Sequence, residues 1–83
     1  MSANNDWMRR DLASLWHPCT QMKDHESLPV VPIRRGKGVW LEDFEGKHYL
    51  DIVSSWWVNV FGHANERIND RIKQQLDELE HVI

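Results

Sequence analysis

Two adjacent indoles carry most of the chemical character of this 83-residue chain. Trp56 and Trp57 follow the hydroxyls of Ser54 and Ser55 and open a run that closes on Gly62-His63. Indoles make and break no bonds here. They offer broad apolar faces, and each attracts a cation by about 0.5–2 kcal/mol. One use of such a pair is a ligand wall, and the other is plain core packing, since Trp is largely buried on average. If the run from Leu50 to His63 is extended, neighbouring side chains alternate between faces, so the two indoles cannot share one wall. One would then anchor the segment while the other faces whatever lies opposite.

The remaining reactive groups form no recognisable machinery. Cys19 is the single cysteine, which excludes an internal disulfide, and no motif beside it makes it a nucleophile. His17, Cys19 and His25 are metal donors by type, but their spacing fits no standard zinc pattern, so no metal site is expected. His17 reads instead as a hydrogen-bonding residue that fixes the turn before Pro18. Gly62-His63 reads as a tight turn. Arg34, Arg35 and Lys37 read as a solvated turn, with phosphate binding as the alternative.

These residues need elements to hold them. Asn5-Asp6 offers cap oxygens, and Met8, Leu12, Leu15 and Trp16 recur at helical spacing. The spacing predicts a helix from about Asp6 to Leu15, stopped at the Trp16-His17-Pro18 corner because the residue before proline avoids helix. Cys19 to Leu28 has no period and reads as a loop. Leu28-Pro29-Val30-Val31-Pro32-Ile33 is extended, and its prolines confine it to a sheet edge or an isolated strand. Arg34 to Gly38 then reads as a turn. A hairpin follows, Val39 to Glu42 and Lys47 to Val53, around the four-residue loop Asp43-Phe44-Glu45-Gly46. That loop length pairs Glu42 with Lys47 and Trp40 with Tyr49. From Asn65, a capping residue, Ile68, Ile72, Leu76, Leu79 and Ile83 make one apolar helical stripe that runs to the last residue. The fold class is therefore α+β: an N-terminal helix, a small antiparallel sheet with a hairpin, and a long amphipathic helix.

Composition narrows the class further. The net charge of −3 and the mixed signs give no basic stripe for nucleic acid. No apolar run is long enough to span a membrane, and the first residues lack the features of a signal peptide, so a cytoplasmic location is expected. A chain this short buries only about 60–65% of its unfolded surface. A stripe that reaches the last residue needs a partner surface, and the expectation is that 1–83 is a piece of a larger polypeptide.

Several segments together resemble a known family. They are Leu15-Trp16-His17-Pro18-Cys19-Thr20, the proline-bearing Leu28 to Pro32, Gly38-Val39-Trp40-Leu41, Gly46-Lys47-His48-Tyr49-Leu50-Asp51, Ser54-Ser55-Trp56-Trp57, Gly62-His63 and the helix carrying His81. In this order they look like the N-terminal part of the class III, pyridoxal-phosphate-dependent aminotransferases. Trp16-His17-Pro18 together with the Ser-Ser-Trp-Trp segment is similar to the biotin-pathway branch of that family. The resemblance implies the N-terminal portion of a fold-type I transferase, divided as 1–27 helix and loop, 28–63 sheet and Trp-Trp segment, and 64–83 helix.

The resemblance also implies chemistry. Pyridoxal 5'-phosphate would carry an amino group from S-adenosylmethionine to 8-amino-7-oxononanoate, giving 7,8-diaminononanoate, in an active site at a homodimer interface. Trp56 matches a family tryptophan that contacts substrate, and Trp57 its packing neighbour. Cys19 stands where some members carry a substrate-contacting Tyr, and a thiol cannot replace an aromatic face. The Schiff-base Lys, the Asp on the pyridinium nitrogen and the carboxylate-binding Arg lie later in the family's sequence. Lys23, Lys37, Lys47 and Lys73 match none of these positions, so no catalytic residue is expected in 1–83. Two other readings stand beside this one: an ω-amino acid aminotransferase of the same class, and a non-catalytic, aromatic-rich binding module.

Overall fold

The computed structural model describes residues 2–83. Helix α1 spans Ala3–Ser14 and starts three residues before the expected Asp6. Ser2 takes the capping role, its Oγ accepting the Asn5 N–H at 3.1 Å. Asp6 is thereby inside the first turn, paired with Arg9 at 2.9 Å. The helix ends where Leu15 turns extended, ahead of the Trp16-His17-Pro18 corner. The segment read as a loop holds a 3₁₀ turn, Met22–Glu26, capped by the Gln21 side chain. So short an element leaves no apolar period to detect.

Three antiparallel strands follow, in the order β1-β2-β3: β1 (Ile33–Lys37), β2 (Trp40–Asp43) and β3 (His48–Leu50). The basic stretch read as a turn is thus the edge strand β1, and the proline-bearing residues before it are not paired. Arg34 is a β-bulge, because Ile33 faces Asp43 while Arg35 faces Glu42. Arg35 grips Glu42 with two hydrogen bonds, at 2.6 and 3.0 Å, which ties the basic edge to the sheet.

The hairpin register differs by one residue from the sequence reading. Trp40 faces Leu50, Leu41 faces Tyr49 and Glu42 faces His48. The Asp43 N–H reaches the Lys47 carbonyl at 3.0 Å, so the loop is the three residues Phe44 to Gly46, closed by Gly46 at φ 85°. Asp43 imposes that length, its Oδ1 accepting the N–H groups of Glu45 at 2.9 Å and Lys47 at 3.0 Å.

After a helical turn, α2 (Ser54–Trp57), comes α3 (Glu66–Glu78). Asn65 caps α3 as expected, its side chain accepting the Ile68 N–H at 3.1 Å. The expected helix to residue 83 stops at Glu78, so His81 lies beyond it. Most helical stability comes from packing an apolar face, and the last residues pack on nothing in this chain.

Among the described residues no apolar side chain is fully buried; the one buried residue is Asp43, 2% exposed. The Cα radius of gyration is 15.5 Å. A compact domain of this length would have about 12 Å. The chain is laid out as a surface layer: α1 touches the hairpin through Trp7 stacked on Phe44 at 4.7 Å, and α3 stands clear with its stripe exposed.

Candidate functional site

The indole pair sits on a turn of unusual hand. Ser54, Ser55, Trp56 and Trp57 all have positive φ, with Ser55 and Trp56 in the left-handed helical region at (47°, 52°) and (72°, 42°). Each such residue costs roughly 1–2 kcal/mol when it carries a Cβ. The turn needs compensation, and Asp51 supplies it. Its Oδ1 accepts the Ser55 N–H at 3.0 Å and its Oδ2 the Ser55 hydroxyl at 2.7 Å. His63 Nε2 meets Oδ2 from the other side at 2.7 Å. The Ser55 backbone bond, the Ser55 hydroxyl and His63, outweighing desolvation, hold the Asp51 carboxyl down at about 2.

His63 is itself fixed. Its backbone exchanges two hydrogen bonds with Gly38, at 2.8 and 3.0 Å, in an isolated bridge. Gly62, at φ 87°, makes the turn into it. Gly36 leaves room for its ring, since a Cβ there would lie 2.9 Å from the His63 Cβ. The Asp51 N–H in turn donates to the Val39 carbonyl at 2.9 Å. The left-handed turn is therefore clamped to the end of the sheet.

The expected alternation of the two indoles is overturned. An extended run would separate them, but the left-handed turn stacks them, with ring centroids 6.2 Å apart and planes 22° apart. Both are open, Trp56 at 61% and Trp57 at 76% exposure, so Trp57 is not packed within this chain. They present one continuous apolar slab. Cys19 is exposed at φ 53° on the connection after α1.

His17 does bond at the proline corner, but it ties that corner to α1: its Nε2 meets Asp11 Oδ2 at 2.5 Å and its N–H reaches the Met22 sulfur at 3.3 Å. Among the described residues no cluster of three donors could hold a metal ion. Trp40 faces Leu50 and tilts toward His48, with centroids 6.5 Å apart, rather than pairing with Tyr49. Tyr49 instead sends its hydroxyl to Asp43 Oδ2 at 3.0 Å, where Asn4 also donates at 3.0 Å. Burial pushes the Asp43 carboxyl up, but these two donors and the Glu45 and Lys47 N–H groups bring it down to about 2. Burial, then the Asp43 carboxylate, raises the Tyr49 hydroxyl above its ordinary value.

Sequence reasoning missed both carboxylates. The Asp-Phe-Glu-Gly loop carries an Asx-turn signal that points to Asp43. Nothing but the spacing of Asp51 and Ser55, four residues apart, points to the second.

The four lysines do not build a cofactor seat. All are exposed; Lys37 pairs with Glu66 at 3.6 Å, and Lys47 lies over the Tyr49 ring at 5.2 Å. A Schiff-base amine needs an enclosed, desolvated place beside a phosphate cradle. The residues of 1–83 do not fit pyridoxal phosphate by themselves.

Comparison with known proteins gives this surface layer a context. Residues 20–83 match the model of the class-III aminotransferases. The chain belongs to that family. This class III aminotransferase chain is 51% identical over 73 residues to the adenosylmethionine-8-amino-7-oxononanoate aminotransferase of Helicobacter pylori, covering 88% of its own length and 17% of that protein's. A solved adenosylmethionine-8-amino-7-oxononanoate aminotransferase from Methanocaldococcus jannaschii superposes with a TM-score of 0.84 at 42% identity, over 95% of this chain and 18% of that one. A solved (S)-enantioselective ω-transaminase from Thermomicrobium roseum superposes with a TM-score of 0.83 at 28% identity, over 94% of this chain and 17% of that one. The class III chain thus spans less than a fifth of the length of each. Among the described residues no apolar side chain is fully buried.

Proposed function

We propose that residues 1–83 are the N-terminal segment of a pyridoxal-phosphate-dependent aminotransferase of biotin biosynthesis, a fold-type I enzyme. It moves the amino group of S-adenosylmethionine to 8-amino-7-oxononanoate and gives 7,8-diaminononanoate. In this reading 1–27 form the leading helix and loop, 28–63 the sheet and indole turn, and 64–83 the helical arm. The segment supplies a wall of the substrate pocket: Trp56 as the principal contact, Trp57 stacked behind it and Cys19 as a minor one. The cofactor's anchoring lysine belongs to the rest of the enzyme, a cytoplasmic homodimer. The 51% identity to the Helicobacter pylori enzyme carries the reading.

The geometry supports the wall. Two dissimilar substrates take turns at one cofactor, so the pocket needs broad apolar contact rather than one fixed set of hydrogen bonds. The stacked, exposed indoles have that character. A solved ω-transaminase variant in which a tryptophan was changed to glycine was engineered for asymmetric synthesis of enantiopure bulky amines, which favours a Trp wall of this kind.

The second reading, an ω-amino acid aminotransferase, draws on the Thermomicrobium roseum neighbour, whose backbone fits almost as well. The greater identity to the Methanocaldococcus jannaschii protein weighs against it. The deciding experiment supplies the full-length enzyme with 8-amino-7-oxononanoate and either S-adenosylmethionine or an ω-amino acid. Diaminononanoate formed only with S-adenosylmethionine supports the proposal. Product only from the ω-amino acid replaces it.

A further inference from the structure

Asp51 touches both the left-handed turn and the residue bolting that turn to the sheet. Its two oxygens hold Ser55 by backbone and hydroxyl, at 3.0 and 2.7 Å, and Oδ2 also takes His63 at 2.7 Å. Its backbone is hydrogen-bonded to Val39, and His63 is paired with Gly38, so both anchors lead back to the sheet. Its side chain is only 6% exposed. Ser55, one of the two residues it restrains, directly precedes Trp56 and Trp57, whose stacking depends on consecutive positive φ values. Without the clamp, the backbone of Ser54 to Trp57 relaxes toward the right-handed region that residues with a Cβ prefer, and the indoles diverge. Strain kept in place by surrounding structure is characteristic of positions whose geometry matters to a ligand.

We propose that Asp51 is a positioning residue for the substrate wall: acting through Ser55 and His63, it keeps the Trp56–Trp57 slab stacked and aimed at the pocket. This rests on the reading of that slab as a wall. Asp51 touches no substrate, and its effect lies on binding geometry rather than on proton transfer.

The test uses the full-length enzyme loaded with its cofactor, with two readouts. Stacked indoles give an exciton couplet in far-ultraviolet circular dichroism, assigned here by its loss in Trp57→Phe. Steady-state kinetics give kcat and KM for both substrates. Asp51→Asn is expected to abolish the couplet and raise both KM values about tenfold, since small misplacements of contact groups are felt strongly. Because kcat reports groups acting in the chemical step, it should stay within about twofold. Adding Ser55→Gly to Asp51→Asn should restore about half of both signals, because glycine accepts positive φ without a steric penalty. Failure of the rescue overturns the proposal. So does a couplet that survives Asp51→Asn. If Asp51→Asn does not fold, Ser55→Ala decides: an unchanged couplet and unchanged KM values overturn the proposal, and loss in both supports it. Trp56→Leu separates the two readings. If it leaves both KM values alone, the wall itself is refuted; if it raises them while Asp51→Asn does not, the wall stands and the positioning role falls.

Discussion

In the proposed enzyme, Trp56 is the residue on which substrate preference should turn. Its face is open, and S-adenosylmethionine carries a sulfonium cation that an indole face attracts. Replacing Trp56 by Leu in the full-length enzyme should weaken donor binding about 2- to 30-fold, the equivalent of roughly 0.5–2 kcal/mol. 8-Amino-7-oxononanoate carries no sulfonium; its own cation is the more strongly hydrated ammonium beside the carbonyl, so acceptor binding should suffer less. Equal losses for donor and acceptor, measured by titration, would remove the cation contact and leave only apolar area. The two depressed carboxyls make a second prediction at this scale. Asp43 and Asp51 both sit at about 2 against an ordinary value of 3.8. A carboxyl depressed by folding contributes stability that is complete above its unfolded value and is lost as pH falls through its folded value. Their contribution to the urea midpoint of the full-length enzyme should therefore be constant from neutrality to about pH 5 and fall steeply between about pH 4 and 2. Asp51→Asn should flatten part of that fall.

Among the elements, α3 and the clamp at the sheet end are the easiest to test. Asn65→Ala removes the cap on the Ile68 N–H and should cost about 1 kcal/mol, whereas Asn65→Gly should cost only a few tenths. Chemical denaturation of both variants measures the difference. Gly36→Ala presses a methyl group against His63 Cβ at 2.9 Å and Leu41 Cδ2 at 3.1 Å. Overpacking of this kind costs about 1–3 kcal/mol. It should also disturb the His63–Asp51 bond, visible as a weakened indole couplet. Elements with a strong period or a cap were legible in the sequence: both long helices, the corner at Pro18, the hairpin and Asn65. Where a side chain seized the backbone, the pattern misled. Asp43 shortened the hairpin loop by one residue and so moved every pair. Asp51 bent an apparently extended run into a left-handed turn. Hydrophobic periodicity reports which faces are buried, and it is silent on such local hydrogen bonds. The indoles were found by residue type alone, but their stacking was not.

For the molecule as a whole, behaviour is governed by the described residues burying no apolar side chain fully. The stripe Ile68, Ile72 and Leu76 is exposed, as are Val58, Val60 and Phe61 ahead of it. Residues 1–83 expressed alone should bind a hydrophobic dye and melt without a sharp transition, in contrast to the full-length enzyme; a cooperative calorimetric peak for the isolated chain would refute this. With its four lysines all exposed, the isolated chain should also give no stoichiometric imine band with turnover when mixed with pyridoxal phosphate. The sequence already showed the unpartnered stripe. It could not show how open the layer is, because the same apolar pattern serves a self-contained domain equally well.

The uncovered α3 stripe has a consequence for how such an enzyme is born. If 1–83 opens a longer enzyme, as proposed above, the stripe leaves the ribosome well before the polypeptide that would cover it, at synthesis rates of about 5–20 residues per second. The nascent chain must spend that interval with Ile68, Ile72 and Leu76 in contact with water or with a chaperone. Substitutions that make the stripe stickier should therefore lower the yield of soluble enzyme in cells before they change anything about the finished catalyst.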